Sequence, residues 1–232
     1  MKFGISIPTY WRPDGSTKFA LEKCLWGITQ QSHDDWVVYL IGDKYEKDDE
    51  LRDIASVIPP SKLHLLNLEV AAERDTMTGH QVWQSGGINA LNHALAAQRI
   101  DGIEITTHSD DDDFWLPHHL ETLAAAYEKH DADFVFTSAF EGDWGRVWPP
   151  INHGTRFLSL RDNHYPLIHS SASWKLASFP QDYEVSETDA GDCNMWKRMD
   201  VHAKTNDKTV LFVAEVTVMK SPSGRELVES YY

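Results

Sequence analysis

Apolar residues along the first 140 positions recur in two alternating rhythms. The runs FGISIP (3–8), WVVYLIG (36–42), LHLLNLEV (63–70), GIEITT (102–107) and FVFTSAF (134–140) are short and rich in β-branched or aromatic residues, which predicts strands. Between them the apolar positions keep helical spacing. Leu21, Cys24, Leu25 and Ile28 follow a start at Ser16 or Thr17, and KDDELRDIASVI (47–58) is stopped by Pro59 and Pro60. Ile88, Leu91 and Leu95 mark a helix over 87–99, and Leu120, Leu123 and Tyr127 mark another with Pro117 in its first turn. Strands alternating with such helices predict βαβ units and an α/β fold with a mostly parallel central sheet. Ligands bind such sheets beyond the carboxyl ends of the strands. Three polar groups occupy those ends: Pro8, Thr9 and Tyr10 after the first strand, Asp43 after the second, and Asp110 to Asp113 after the fourth.

Beyond residue 140 the rhythm loosens. Residues 141–163 read as a long loop, which in a compact domain usually carries function. A short helix over 171–179, a helix over 189–199 and a strand over 209–219 complete the pattern. We read one domain over 1–232, with no repeat or linker.

Charge narrows the function. A formal charge of −15 excludes general nucleic-acid binding, because phosphates would be repelled, and a phosphorylated small molecule would need a cation between it and the protein. Two cysteines, Cys24 and Cys193, without CxxC spacing suggest neither a disulfide framework nor a thiolate zinc site. No apolar run approaches the ~20 residues of a membrane span, so a soluble, cytoplasmic chain is expected.

The stretch THSDDDDFWLPHHLE (107–121) concentrates the chemistry. Four adjacent carboxylates at a strand end repel one another and lose solvation; a divalent cation relieves both costs, and hard oxygen donors suit magnesium, manganese or calcium. A solvated acidic turn that starts the next helix is the simpler alternative.

Asp110-Asp111-Asp112-Asp113-Phe114-Trp115-Leu116-Pro117, followed by His119-Leu120-Glu121, resembles the D-x-D-D-x-W-x-P-x-x-L segment of family 2 glycosyltransferases, which adopt the GT-A fold. Ser6-Ile7-Pro8-Thr9-Tyr10 with Arg12-Pro13 resembles that family's opening strand and turn. Ile41-Gly42-Asp43 with Asp48 resembles its second nucleotide-binding turn. Ala90-Leu91-Asn92 falls at its small-Arg-Asn step, and the segment from Gly191 to Arg198 resembles E-D-x-(D/E)-L-W-x-R. In order and spacing these motifs span residues 3 to 200. The resemblance implies a nucleotide-sugar-binding half over 1–113 and an acceptor-side half over 114–232. Asp112 would ligate the metal and Asp110 would contact the ribose or the metal. Pro8, Thr9 and Tyr10 would border the nucleotide, Asp43 would bond uracil, and Asn92 would line the donor pocket. Asp192 would be the general base.

These implications assemble a metal-dependent inverting glycosyltransferase that moves a hexose, best read as glucose, from a UDP-sugar to a glycan, lipid or protein hydroxyl. The cofactor would be Mn2+ before Mg2+, bridging the leaving diphosphate, while the base contributes ~10²–10⁴-fold. A sugar-phosphate nucleotidyltransferase and a calcium-dependent carbohydrate-binding protein are the alternatives. Three positions differ from the family pattern: Gly191 replaces a glutamate, which makes Asp189 or Glu187 a rival base; Leu91 replaces an arginine; Gly42 replaces an aspartate. His153, His164 and His169 could ligate metal or acceptor, and Trp144, Trp148 and Trp174 could form an acceptor platform. Lys220 and Arg225 lie in a tail that reads as a frayed terminus able to fold over a diphosphate.

Overall fold

The computed structural model describes residues 1–158 and 167–220. From β1 (Phe3–Thr9) the chain passes through α1 (Ser16–Thr29) to β2 (Trp36–Gly42), then through α2 (Asp48–Ala55) to β3 (Leu63–Asn67). Two short helices, α3 (Ala72–Thr76) and α4 (His80–Ser85), precede α5 (Ile88–Ile100), which returns the chain to β4 (Ile105–His108). There follow β5 (Phe114–Trp115), α6 (His119–His130), β6 (Phe134–Glu141), β7 (Arg146–Trp148), β8 (Arg156–Leu158), β9 (Ala172–Lys175), α7 (Gly191–Thr205) and β10 (Val210–Lys220). Among the described residues these strands form one sheet in the order β3-β2-β1-β4-β9-β6-β10-β5, with β7 on β6 and β8 on β10.

β1 pairs in parallel with both β2 and β4, so the chain steps outward from β1 to β3 and then comes back on β1's other side. That reversal opens a crevice at the carboxyl ends of β1 and β4. β9 runs antiparallel to both β4 and β6, and β10 is parallel to β6. β1, β2, β3, β4, β6 and β10 therefore share one direction, with β9 reversed between β4 and β6 and the short β5, β7 and β8 antiparallel to their partners, the mostly parallel α/β sheet expected from the pattern. Both faces are covered. On β2, Val38 and Leu40 join a core with α1, α2 and α6, whereas Tyr39 and Ile41 join a core with α5 and α7.

Several local expectations need correction. Residues 172–175 form β9 rather than a helix, because the segment is wedged between β4 and β6 and its main chain is consumed by their ladders. The loop of 141–163 contains β7 and β8, which pair onto β6 and β10. Neither Ser16 nor Thr17 caps α1. Gly15 precedes the helix in the left-handed region (φ 78°), and Thr17, fully buried, donates its hydroxyl to the Tyr10 carbonyl and accepts the Arg12 N–H. Trp174 is buried in the core and cannot serve as an acceptor platform; Trp144 is 72% exposed. Cys24 and Cys193 are both free. Among the described residues no helix is long and apolar enough to cross a membrane.

Asn92 is not among the residues that border the crevice beyond β1 and β4. Its amide is spent on a two-point clip to the main chain of Tyr183, accepting its N–H (2.8 Å) and donating to its carbonyl (2.9 Å). This fastens α5 to the segment before α7. Asn92→Ala should lower the unfolding free energy by about 1–2 kcal/mol in urea titrations, the cost of leaving two main-chain groups unpartnered; an unchanged midpoint would remove the clip from the account.

Candidate active site

A cleft of about 530 Å³ lies at the switch point, bordered by Pro8, Thr9, Tyr10, Arg12, Asp43, Arg74, Trp83, Gly86, Gly87 and Asp110 to Asp112. All three polar groups of the strand ends therefore meet in one place. The four aspartates, adjacent in sequence, turn to four different surroundings.

Asp110 follows β4 and accepts from His108 Nε2 (2.8 Å) and lies near His169 Nδ1 (3.8 Å) and Lys220 Nζ (3.4 Å). Burial works to raise its carboxyl, but Lys220, His108 and His169 hold it well below the ordinary carboxylate range. Asp111 turns the other way. It takes both ends of the Arg12 guanidinium (2.9 and 3.2 Å) and the Thr9 hydroxyl (2.7 Å), so it locks the turn after β1. Asp112 is exposed toward the cleft, and burial of its surroundings together with the charges of Asp110 and Asp111 pushes its carboxyl up to about 6. Asp113 is buried, accepts from Ser170 Oγ (2.5 Å), and lies 3.9 Å from Lys220 Nζ. Burial, joined by Asp110 and Asp112, pushes it up to about 8 against the pull of Lys220. Asp113 therefore has no helix-starting role; α6 begins at His119, six residues on.

Ser170 and the sheet register hold this arrangement. Ser170 accepts the Asp110 N–H and its carbonyl accepts the indole N–H of Trp115. β5 pairs antiparallel with β10, Phe114 opposite Met219, so one further step sets Lys220 across from Asp113. Lys220 is thus the last residue of a strand rather than part of a frayed tail. Arg225 and His164, and the side chain of His153, lie outside the described residues.

Ligand oxygens of Asp110, Asp112 and Asp113 all lie within 4.8 Å of one another, a hard donor set suited to Mn2+ or Mg2+. Nitrogens of His108 and His169 lie equally close to Asp110. Their rings, however, stack at 3.5 Å with planes 17° apart, so the in-plane lone pairs run side by side rather than converging on one ion. His169 also bonds the Tyr183 hydroxyl (2.6 Å), and burial, then His108, hold it well below its ordinary pKa as a neutral ring. The pair stiffens Asp110, and through Tyr183 it is joined to the Asn92 clip.

On the other wall Arg74 donates Nε–H to Asp43 Oδ2 (2.9 Å) and a second N–H to the Asp43 carbonyl. Asp43 is buried, and its Oδ1 has no partner among the described residues. The Tyr10 ring carries the Arg12 guanidinium 4.5 Å and the Arg74 guanidinium 4.7 Å from its centroid. Asp48 bonds Asn67 and Arg52 and does not border the cleft.

Asp192, also outside the cleft lining, is in the first turn of α7, where it accepts the Cys193 N–H (2.7 Å). Burial raises its carboxyl, with Asp110 adding to the rise and Lys220 opposing it, which places Asp192 within the field of the acidic cluster. Its rival Asp189 is tied to Lys197 (2.6 Å).

Comparison with known proteins decides what kind of site this is. The family model described as glycosyl transferase family 2 matches residues 5–199. The chain belongs to glycosyl transferase family 2. A relative from Acanthamoeba polyphaga mimivirus, "Uncharacterized glycosyltransferase R139", is 33% identical over 237 residues, covering 97% of this chain and 95% of that one. Among solved structures, S. aureus TarS residues 1–349 in complex with UDP-GlcNAc superposes with a TM-score of 0.72 at 15% identity, covering 100% of this chain and 62% of that one. The mannosyltransferase PcManGT from Pyrobaculum calidifontis, in complex with GDP-Man and Mn2+, superposes with a TM-score of 0.64 at 14% identity, covering 94% and 56%. The chain thus spans less than two thirds of these structures, and the likeness shows the GT-A fold. It is a glycosyltransferase, which sets aside the nucleotidyltransferase and calcium-module readings.

Family membership makes the departures intelligible. Leu91, at the family's arginine, is buried in the α5 core, while Arg74 and Arg12 bring positive charge to the cleft from elsewhere. A Cβ on Gly191 would stand 2.8 Å from Ile88 Cδ1, so a side chain there requires Ile88 to shift. A Cβ on Gly42 would meet Asn67 Oδ1 at 2.5 Å. Sequence reading missed the contribution of 71–87, whose only hint was a basic residue and paired glycines at the return toward the switch point. The run's four acids should separate in their effects. Asp111→Ala, which strips Arg12 of its partner, should cost about 3 kcal/mol in urea unfolding, whereas Asp112→Ala should stay within about 0.5 kcal/mol; equal losses would contradict the division of roles.

Proposed function

We propose that this family 2 glycosyltransferase transfers a hexose, best read as glucose, from a UDP-sugar to a hydroxyl acceptor with inversion and with a divalent cation, Mn2+ before Mg2+. The observation that carries the proposal is the buried Oδ1 of Asp43, without a partner among the described residues, in the same cleft as Asp110 and Asp112, whose oxygens group with one of Asp113. A pyrimidine imide N–H satisfies the first, and a diphosphate with its cation satisfies the second. The complexes of TarS with UDP and UDP-GlcNAc, and of PcManGT with GDP-Man and Mn2+, support a nucleotide-sugar donor and a metal in this fold.

In this reading Asp43 accepts the base N–H, Arg74 holds Asp43 in place, and Pro8, Thr9 and Tyr10 border the base. The N-terminus of α5, opened by Gly86 and Gly87 at the cleft, favours the phosphates. Asp112 and Asp110, with Asp113 beside them, hold the cation, which when bound supplies charge neutralisation for the departing diphosphate. Asp192 takes the proton of the attacking hydroxyl; burial raises its carboxyl and makes it a stronger base than an ordinary aspartate. The acceptor is a glycan, lipid or protein hydroxyl, and the chain works in the cytoplasm.

Calorimetry with UDP and Mn2+ tests the donor site: binding should require the metal and be lost in Asp112→Ala, and metal-independent binding of equal strength would overturn the metal reading. Asp192→Asn should retain donor binding while turnover, followed as nucleotide release from UDP-glucose, falls by about 10²-fold or more. Full activity in that variant would remove Asp192 from the base role.

A further inference from the structure

We infer that Lys220 is the acidic cluster's own counter-ion, seated so that a divalent cation must displace it to take the same carboxylate oxygens. The inference rests on the metal reading above and adds a residue outside the donor set. Lys220 Nζ lies 3.4 Å from Asp110 Oδ2 and 3.9 Å from Asp113 Oδ2, and both residues belong to the group whose oxygens could close around one ion. Hard divalent ions sit roughly 2.1 Å from their oxygens, so one held by that Asp110 oxygen lies within about 5.5 Å of the ammonium. Two cations at that separation, over partly buried acids, repel strongly.

The second cation of the run is placed differently. Arg12 is engaged bidentately by Asp111, which is outside the ligand group, and nothing in metal binding requires it to leave. Lys220 has freedom that Arg12 lacks. Among the described residues its ammonium contacts are long, 3.4 Å to Asp110 and 3.9 Å to Asp113, on a flexible four-carbon stem, and its side chain is 38% exposed, so it can swing to solvent. The strand beneath it stays anchored, since Lys220 pairs with Glu141 of β6 and the Leu116 N–H is held by the Thr217 carbonyl. Asp113 keeps its Ser170 bond when the lysine departs. Among the described residues the groups facing Lys220 are Asp110, Asp112 and Asp113, with Asp192 and the neutral His169 farther out, and none of these is a cation that takes over its place.

Calorimetry of chelator-treated protein with Mn2+, at fixed pH and salt and without nucleotide, tests this directly. Lys220→Met should bind Mn2+ about tenfold or more tightly than the wild type, and Lys220→Arg, which keeps the charge, should stay near the wild type. Equal or weaker Mn2+ binding in folded Lys220→Met overturns the inference. A measurement on the wild type does not depend on that variant folding: in 13C-lysine-labelled protein the Lys220 ε-methylene resonance, identified by its absence in Lys220→Arg, should move toward the free-lysine position as Mg2+ saturates the site. A resonance that stays fixed while calorimetry shows Mg2+ bound also overturns it. Absence of Mn2+ binding in every one of these proteins instead removes the metal reading of the proposed function, and this inference with it.

Discussion

Four carboxylates on consecutive residues cannot share one environment without strong mutual repulsion, and the structure is organised around separating them. Asp111 goes to Arg12 and Thr9, Asp110 to His108 and Lys220, Asp113 to Ser170 beneath Lys220, and Asp112 is left facing the cleft. Each direction is enforced by a different element: the turn after β1, the end of β4, the segment before β9, and the end of β10. Removing any one of these would return a buried charge to its neighbours.

Separation at this point also creates the site. The acids with close partners hold the scaffold, and Asp112 is left facing the cleft. Burial raises Asp112, Asp113 and Asp192 while Lys220 and the histidines hold Asp110 down, so chemically identical side chains within a few ångströms differ in proton affinity by environment alone. The opposite wall follows a similar plan, with Arg74 bonding one oxygen of Asp43 while the other has no partner among the described residues.

Much of this was legible in advance because the relevant signals are local. Strands β1, β2 and β6 fall within a residue of their expected limits, since apolar runs bounded by turn residues need no distant partner to be recognised. The same reasoning misread 171–179, whose apolar spacing imitates a helix, because only the neighbouring strands decide that those amides enter a ladder. Asp110, Asp112 and Asp43 were found through motif and strand-end position. Asn92 shows the limit of motif position: its amide is consumed by Tyr183, 91 positions away. Lys220 was read as part of a loose tail because nothing near it in sequence reveals that β10 runs beside β5.

By itself, then, the chain's pattern determined the alternating elements, the direction of the main strands, and the presence of acid at their carboxyl ends, all of which depend on residues within a turn or two of each other. The tertiary structure alone decided which acid faces which cation, that Arg12 and Arg74 border the cleft while Leu91 is buried, and that Lys220 stands across from Asp113. Those are long-range pairings fixed by sheet register, and register is a property of strands that meet only after the chain has folded.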